Sequence, residues 1–132
     1  MAEAFESTVT LAGHDALTRI LISAGLNAPA VLGDVLYREG QLAFRQTQKE
    51  VPVKWGNLKN SGRLHPPKQA GTDVEVLITY GSTAVKYAAA VHEKNKNYKN
   101  GRKWKYVHDP VVARADGMEG RIVKRIQRSM TP

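Results

Sequence analysis

The sequence predicts an α+β domain, a small antiparallel β-sheet with a long hairpin packed against N-terminal and C-terminal helices. Three observations predict it. Apolar residues recur at helical spacing before residue 51 and again after residue 109. Residues 73–92 alternate with a period of two. The order of these stretches, helices first, then paired strands, then a helix, is that of segregated α+β layers. A chain of 132 residues fits one domain, and we take 1–132 as a single unit.

Residues 1–13 carry little periodicity and read as a flexible N-terminal arm or a short extended segment. Asp15 can cap a short helix that carries Ala16, Leu17, Ile20 and Leu21, and Gly25 and Asn27 break it. A second helix starts at Ala28 or Pro29, since proline lacks only an N–H that the first turn leaves unpaired. Leu32, Val35, Leu36, Leu42 and Ala43 share one arc of it, with Arg38, Arg45 and Lys49 on a polar arc. Tyr37 and Phe44 form a separate stripe that faces either the domain's own core or a neighbouring subunit. This helix ends before Pro52, because the residue preceding proline is driven out of helical geometry. A compact, turn-rich stretch follows to Gly62, and His65-Pro66-Pro67 reads as an extended segment or loop.

In residues 73–80, Val74, Val76, Ile78 and Tyr80 share one face. Gly81-Ser82-Thr83 reads as a turn, and residues 84–92 as a second strand with Val85, Tyr87, Ala89 and Val91 on one face, which completes the hairpin. Residues 94–108 form a basic loop, whose stretch 94–105 has six Lys/Arg and no acid. Asp109-Pro110 opens the last helix. Its apolar arc holds Val111, Ala115, Met118, Ile122 and Ile126, widened by Val112, Val123 and Met130, and Arg114, Arg121, Lys124, Arg125 and Arg128 gather opposite. Gly117 and Gly120 each weaken it by roughly 1 kcal/mol relative to alanine, so a bend or break belongs there.

Composition excludes several classes. Hydrophobic residues make up 42%, too many for a disordered tail and too few for a membrane protein. No run approaches the roughly 18 apolar residues that span a bilayer, and the first fifteen residues lack the pattern of a secretory signal. With no cysteine there is no disulfide, thiolate nucleophile or zinc–thiolate site. The scattered His14, His65, His92 and His108 show no metal-ligand spacing, and His92 reads as a hydrogen-bonded histidine near a strand end. No phosphate-cradling glycine pattern, nucleophile elbow or carboxylate pair stands out. We expect no catalytic residue, cofactor or metal. A nuclease would instead need acids such as Asp73, Glu75, Glu93, Asp109, Asp116 and Glu119 to converge on a metal.

The net charge of +8 suggests an acidic partner, whether nucleic acid, an anionic membrane or an acidic protein surface, and alone does not choose among them. The loop cations Lys94, Lys96, Lys99, Arg102, Lys103 and Lys105, with Trp104 among them, admit three readings, as does the cationic helix face. They are solvated charge, contacts to DNA phosphates, or a docking surface for an acidic protein. A small basic DNA-binding protein is the alternative of a different class, and no recognition module stands out for it.

Three blocks occur in order along the chain. The first is Val51-Pro52-Val53-x-x-Gly56-x-Leu58-x-x-Ser61-Gly62. The second is Tyr87-Ala88-x-x-Val91-His92-Glu93. The third is the basic stretch with Gly101 and Lys103-Trp104 that leads to Asp109-Pro110. Together they resemble the head–tail joining proteins of long-tailed bacteriophages, also called neck, tail-completion or minor capsid proteins. Trp55 stands where that family's first block has threonine.

The resemblance implies a structural virion protein, not an enzyme. It would form a homo-oligomeric ring, six- or twelvefold, that joins the DNA-filled head to the tail in the virion neck after assembly in the host cytoplasm. Its partners would be further copies of itself, head connector or portal-adaptor proteins, and tail terminator or tail tube proteins, without a membrane. Contact with packaged DNA stays open, and a tail-terminator role is the close sibling. Val51, Pro52, Gly56, Leu58 and Ser61 would form a rigid corner, with Gly56 allowing a close approach. Tyr87, Val91 and His92 would seat the hairpin, and Lys94 to Lys105 would reach a neighbour. The helix face with Arg114, Arg121, Lys124, Arg125 and Arg128 would meet DNA or an acidic ring.

Overall fold

The computed structural model describes residues 5–11, 15–53, 56–70, 73–81 and 88–130. Strand β4 (Asp73–Tyr80) is the centre of an antiparallel sheet. On one side it pairs with β1 (Phe5–Leu11), from Phe5 opposite Tyr80 to Leu11 opposite Val74. On the other side lie two short pieces, β2 (Arg63–Leu64) and β3 (Lys68–Ala70), both paired to β4. They make one interrupted edge. The His65 N–H still reaches the Leu77 carbonyl at 2.9 Å, and Pro66 and Pro67, which have no N–H to donate, end the ladder there.

The fold is α+β, with one reading of its strands narrowed and one corrected. Of the two readings of the N-terminal segment, the extended one holds over Phe5–Leu11, which forms an edge strand of the sheet and not a flexible arm. The expected hairpin is absent from the described residues. Ala88–His92, read as the end of its second strand, lies in helix α4 (Ala88–Glu93). Three consecutive alanines favour the helix, and an apolar alternation this short fits either period. The remainder of that expected strand, with Val85 and Tyr87, lies outside the described residues.

Helix α1 (Asp15–Ser23) and helix α2 (Ala28–Glu50) agree with the sequence reading. Asn27 caps α2 by accepting from the Ala30 N–H at 3.3 Å. Gly40 lets α2 lie close on the sheet, because a Cβ there would stand 3.0 Å from Val76 Cγ1 and 3.3 Å from Leu64 Cδ1. Val74, Val76, Ile78 and Tyr80 of β4 are buried, while Asp73, Glu75, Leu77 and Thr79 on its other face are half-buried. The buried face divides between two core clusters. Leu21, Leu32, Val35, Leu36, Val74, Val76, Ile122 and Ile126 form the first. Ala43, Val51, Leu58, Ile78, Tyr80, Ala88, Val91, Tyr106 and Val107 form the second. Tyr37 packs against the first and Phe44 against the second, so the separate stripe on α2 serves the domain's own core.

Helix α3 (Gly56–Asn60) is the turn-rich stretch after α2. The C-terminal helix is two helices, α5 (His108–Ala115) and α6 (Met118–Met130). The break is at Gly117, whose φ of +74° is a left-handed conformation that side chains resist. Helix α5 begins one residue before Asp109, and Asp109 lies in its first turn rather than capping it.

Candidate functional site

The two regions expected to meet partners have different internal structures. In the basic stretch the chain folds back on itself after α4. The Tyr98 N–H donates to the Arg102 carbonyl at 2.7 Å and the Trp104 N–H to the Lys96 carbonyl at 3.0 Å. Asn97 and Lys103 are bridged between them. The reversal is made at Asn100 and Gly101, with φ of 63° and 77°. Asparagine and glycine tolerate that left-handed geometry best.

This knot is fastened to the C-terminal end of α2. The last carbonyls of a helix lack intrahelical partners and carry the negative end of its dipole. Arg102 donates to the Gln48 carbonyl at 3.1 Å and to the Val51 carbonyl at 2.7 Å. The Lys103 N–H donates to the Glu50 carbonyl at 2.8 Å. The Lys103 ammonium pairs with Asp109 and stands 4.0 Å from Glu50. Its hydrogen bond to Asp109, with a smaller contribution from His108, holds the Asp109 carboxyl below the usual carboxylate range. Two of the predicted docking cations, Arg102 and Lys103, are therefore part of the fold. Lys94 and Lys96 are exposed. Lys96 and Lys105 lie over the rings of Tyr98 and Trp104, 5.0 and 5.1 Å from the centroids.

The corner motif sits beneath the knot. Val51, Pro52 and Leu58 are buried. The Ser61 hydroxyl donates to the Leu58 carbonyl at 2.6 Å and accepts from the Gly81 N–H at 2.8 Å. It thereby ties the end of α3 to the end of β4. Gly56 opens α3, and a close approach that demands glycine is found at Gly62. A Cβ there would stand 2.5 Å from Gln48 Nε2 and 2.7 Å from Tyr80 Cε2. The Tyr80 hydroxyl donates to Thr47 and accepts from Gln48, both at 2.7 Å, and burial pushes its pKa up to about 12.

His92 is buried at the end of α4, beside Val91. Its Nε2 accepts from the His108 N–H at 3.2 Å, and Nδ1 lies 2.6 Å from Glu93 Oε2, which assigns the proton to Nδ1. Burial pulls the imidazole pKa down, and the hydrogen bond and charge of Glu93 oppose this without cancelling it. Tyr106 packs edge-on against His92 and Tyr80 at 5.0 and 5.3 Å, and donates to the Ala88 carbonyl at 2.7 Å. The expectation of a hydrogen-bonded His92 holds, at the end of a helix rather than of a strand.

The cationic helix face divides in two. Glu39 of α2 is only 2% exposed. Arg114 of α5 grips it through Nε at 2.9 Å and Nη2 at 3.1 Å. Arg121 of α6 binds the same carboxylate at 3.1 and 2.8 Å, and also donates to the Asp116 carbonyl at 3.0 Å and to the Arg114 carbonyl. Burial raises the Glu39 pKa, and the two guanidiniums outweigh it, so the net shift is downward. Arg114 and Arg121 are thus corrected from partner-facing residues to the clamp that holds α5, α6 and α2 together. Lys124, Arg125 and Arg128 remain exposed.

Sequence reasoning missed Glu39. Its signal was a lone acid inside the apolar arc of α2, with two arginines seven residues apart on a later helix.

Between α2, α5 and the knot lies an open cleft of about 590 Å³. Leu42, Ala43, Pro110 and Ala113 line it on the apolar side, and Glu50, Lys103 and Arg114 are among its polar residues. Val112, 54% exposed, is also on α5. Among the described residues, no three histidines or acids are grouped so as to hold a metal ion, Asp73, Glu75, Glu93, Asp109, Asp116 and Glu119 included. No described helix is long and apolar enough to cross a membrane. No family model, curated protein or solved structure matches the chain.

Proposed function

We propose that this protein is a structural subunit of a bacteriophage neck, forming a ring that joins the filled head to the tail. The observation that supports it best is the pairing of two unlike surfaces on one small domain. An exposed basic knot, rigidly mounted on α2, adjoins an open cleft with an apolar side. A cleft of this kind suits a neighbouring copy, because a protein interface needs a desolvated apolar centre with a polar rim. Lys94, Lys96 and Lys105 suit an acidic ring above or below, where complementary charge speeds and orients docking. Head-to-tail contacts between identical subunits close into rings when the rotation permits. The described residues of the three blocks that carry the resemblance lie in the corner, α4 and the knot.

The test is deletion of the gene from its phage and electron microscopy of the lysate. DNA-filled heads beside separate finished tails are expected. Overlong tails would transfer the role to tail termination, and intact infectious particles would overturn the proposal. Complementation with Lys94→Glu, Lys96→Glu and Lys99→Glu together should leave a folded protein that fails to assemble. A normal particle yield from that variant would remove the knot from the docking surface.

A further inference from the structure

We propose that the outer face of α6 binds the phosphate backbone of duplex DNA through Lys124, Arg125 and Arg128, without reading sequence. The inference stands on α6 alone and does not depend on the neck assignment.

The clamp sorts the arginines of the C-terminal region. Arg114 and Arg121 are turned onto Glu39, whose single charge offsets one of theirs. Lys124, Arg125 and Arg128 are exposed, and no carboxylate among the described residues pairs with them. They fall within two turns, spread over about 6 Å of helix axis. Duplex DNA carries a charge about every 1.7 Å of its axis, so several phosphates lie opposite such a cluster.

The same face offers little to a protein partner. The exposed large apolar residues of the described structure are Ile22, Leu26, Val53 and Val112, none of them on α6. A protein interface without an apolar centre is weak, whereas phosphate contacts need only cations and hydrogen-bond donors. The support beneath is rigid, since Ile122 and Ile126 are buried in the first core cluster and Arg121 holds the helix at its first turn. The cations are thus presented on a fixed line, with only side-chain freedom lost on binding.

Fluorescence anisotropy of a labelled duplex of about 30 base pairs, titrated with the full chain over a range of salt, tests this. Binding should weaken linearly in log salt, with a slope of about −0.9 for each phosphate neutralised. The variant Lys124→Gln, Arg125→Gln, Arg128→Gln should fold normally and lower that slope by roughly 2.7. Lys94→Gln with Lys96→Gln should leave it nearly unchanged. Equal slopes for wild type and the α6 variant, or binding to polyglutamate and not to DNA, would overturn the proposal. So would the absence of binding at low salt.

Discussion

Glu39 ties three helices together through one side chain. Two arginines from two helices converge on one carboxylate that is almost wholly out of water. A buried ion pair need not stabilise relative to an apolar substitute, but removing one partner leaves the others uncompensated. Glu39→Gln keeps the shape and removes the charge, and we expect it to cost about 3 kcal/mol, read from urea unfolding. Acid should act in the same direction. The Glu39 and Asp109 pKa values are lowered in the folded state, so the unfolded chain binds more protons as acid is added. Their stabilisation is complete above the ordinary carboxylate range and is lost as pH falls through the lowered folded values. His92 acts at higher pH. Its folded pKa lies below the ordinary 6.5, so the buried imidazole resists the proton that the unfolded chain accepts. Stability is therefore whole above that value and declines as pH drops beneath it. The urea midpoint should fall between about pH 7.5 and about pH 5.5, and His92→Gln, though less stable throughout, should show a flatter profile over that window. An equally steep profile in the variant would assign the decline to other groups.

At the scale of elements, the knot and the C-terminal helices make distinguishable predictions. Arg102 satisfies two carbonyls at the end of α2, so Arg102→Ala should destabilise by about 2 kcal/mol, the worth of charge-assisted hydrogen bonds. Lys94→Ala, at an exposed position, should stay within about 0.5 kcal/mol. Gly120 has open space around its Cβ position, so Gly120→Ala should stabilise α6 by about 0.8 kcal/mol. Gly117→Ala should destabilise, because φ there is +74°. Thermal unfolding of the pair checks whether the α5–α6 break is built into the fold. The reasons some elements were legible follow the same lines. Helix α2 and strand β4 each bury one face, and α1 buries Leu21, so their periodicity is visible in the sequence. β1 was less legible, because the polar Ser7 interrupts the face of Phe5, Val9 and Leu11 and its partner strand lies more than sixty residues away. The stretch 84–92 alternates as well as β1 does, yet Ala88-Ala89-Ala90 starts a helix. Local pattern does not say which of two alternating segments takes the edge of β4. The split of the cationic face was illegible for a similar reason. Arg114 and Arg121 look like solvated residues until Glu39, on a helix more than seventy residues earlier in the chain, is placed beside them.

For the whole molecule, a net charge of +8 sets how copies and partners meet. In the proposed ring, copies would repel one another through that charge, and apolar contact, for which the cleft beside α5 and exposed Val112 are suited, would oppose the repulsion. Screening shortens the reach of the repulsion from about 10 Å at 0.1 M salt to about 3 Å at 1 M. Self-association should therefore strengthen as salt rises, while binding to DNA or to an acidic ring weakens. Sedimentation velocity at about 0.1 M and about 1 M salt separates the two kinds of contact. A mean mass that rises with salt, and that falls back in Ala113→Asp, whose position lines the cleft, fits copies held through the cleft. A mean mass that falls with salt would mean that the copies are joined by ion pairs between basic and acidic surfaces. The exposed knot would then face a neighbouring copy in the proposed ring rather than a different protein.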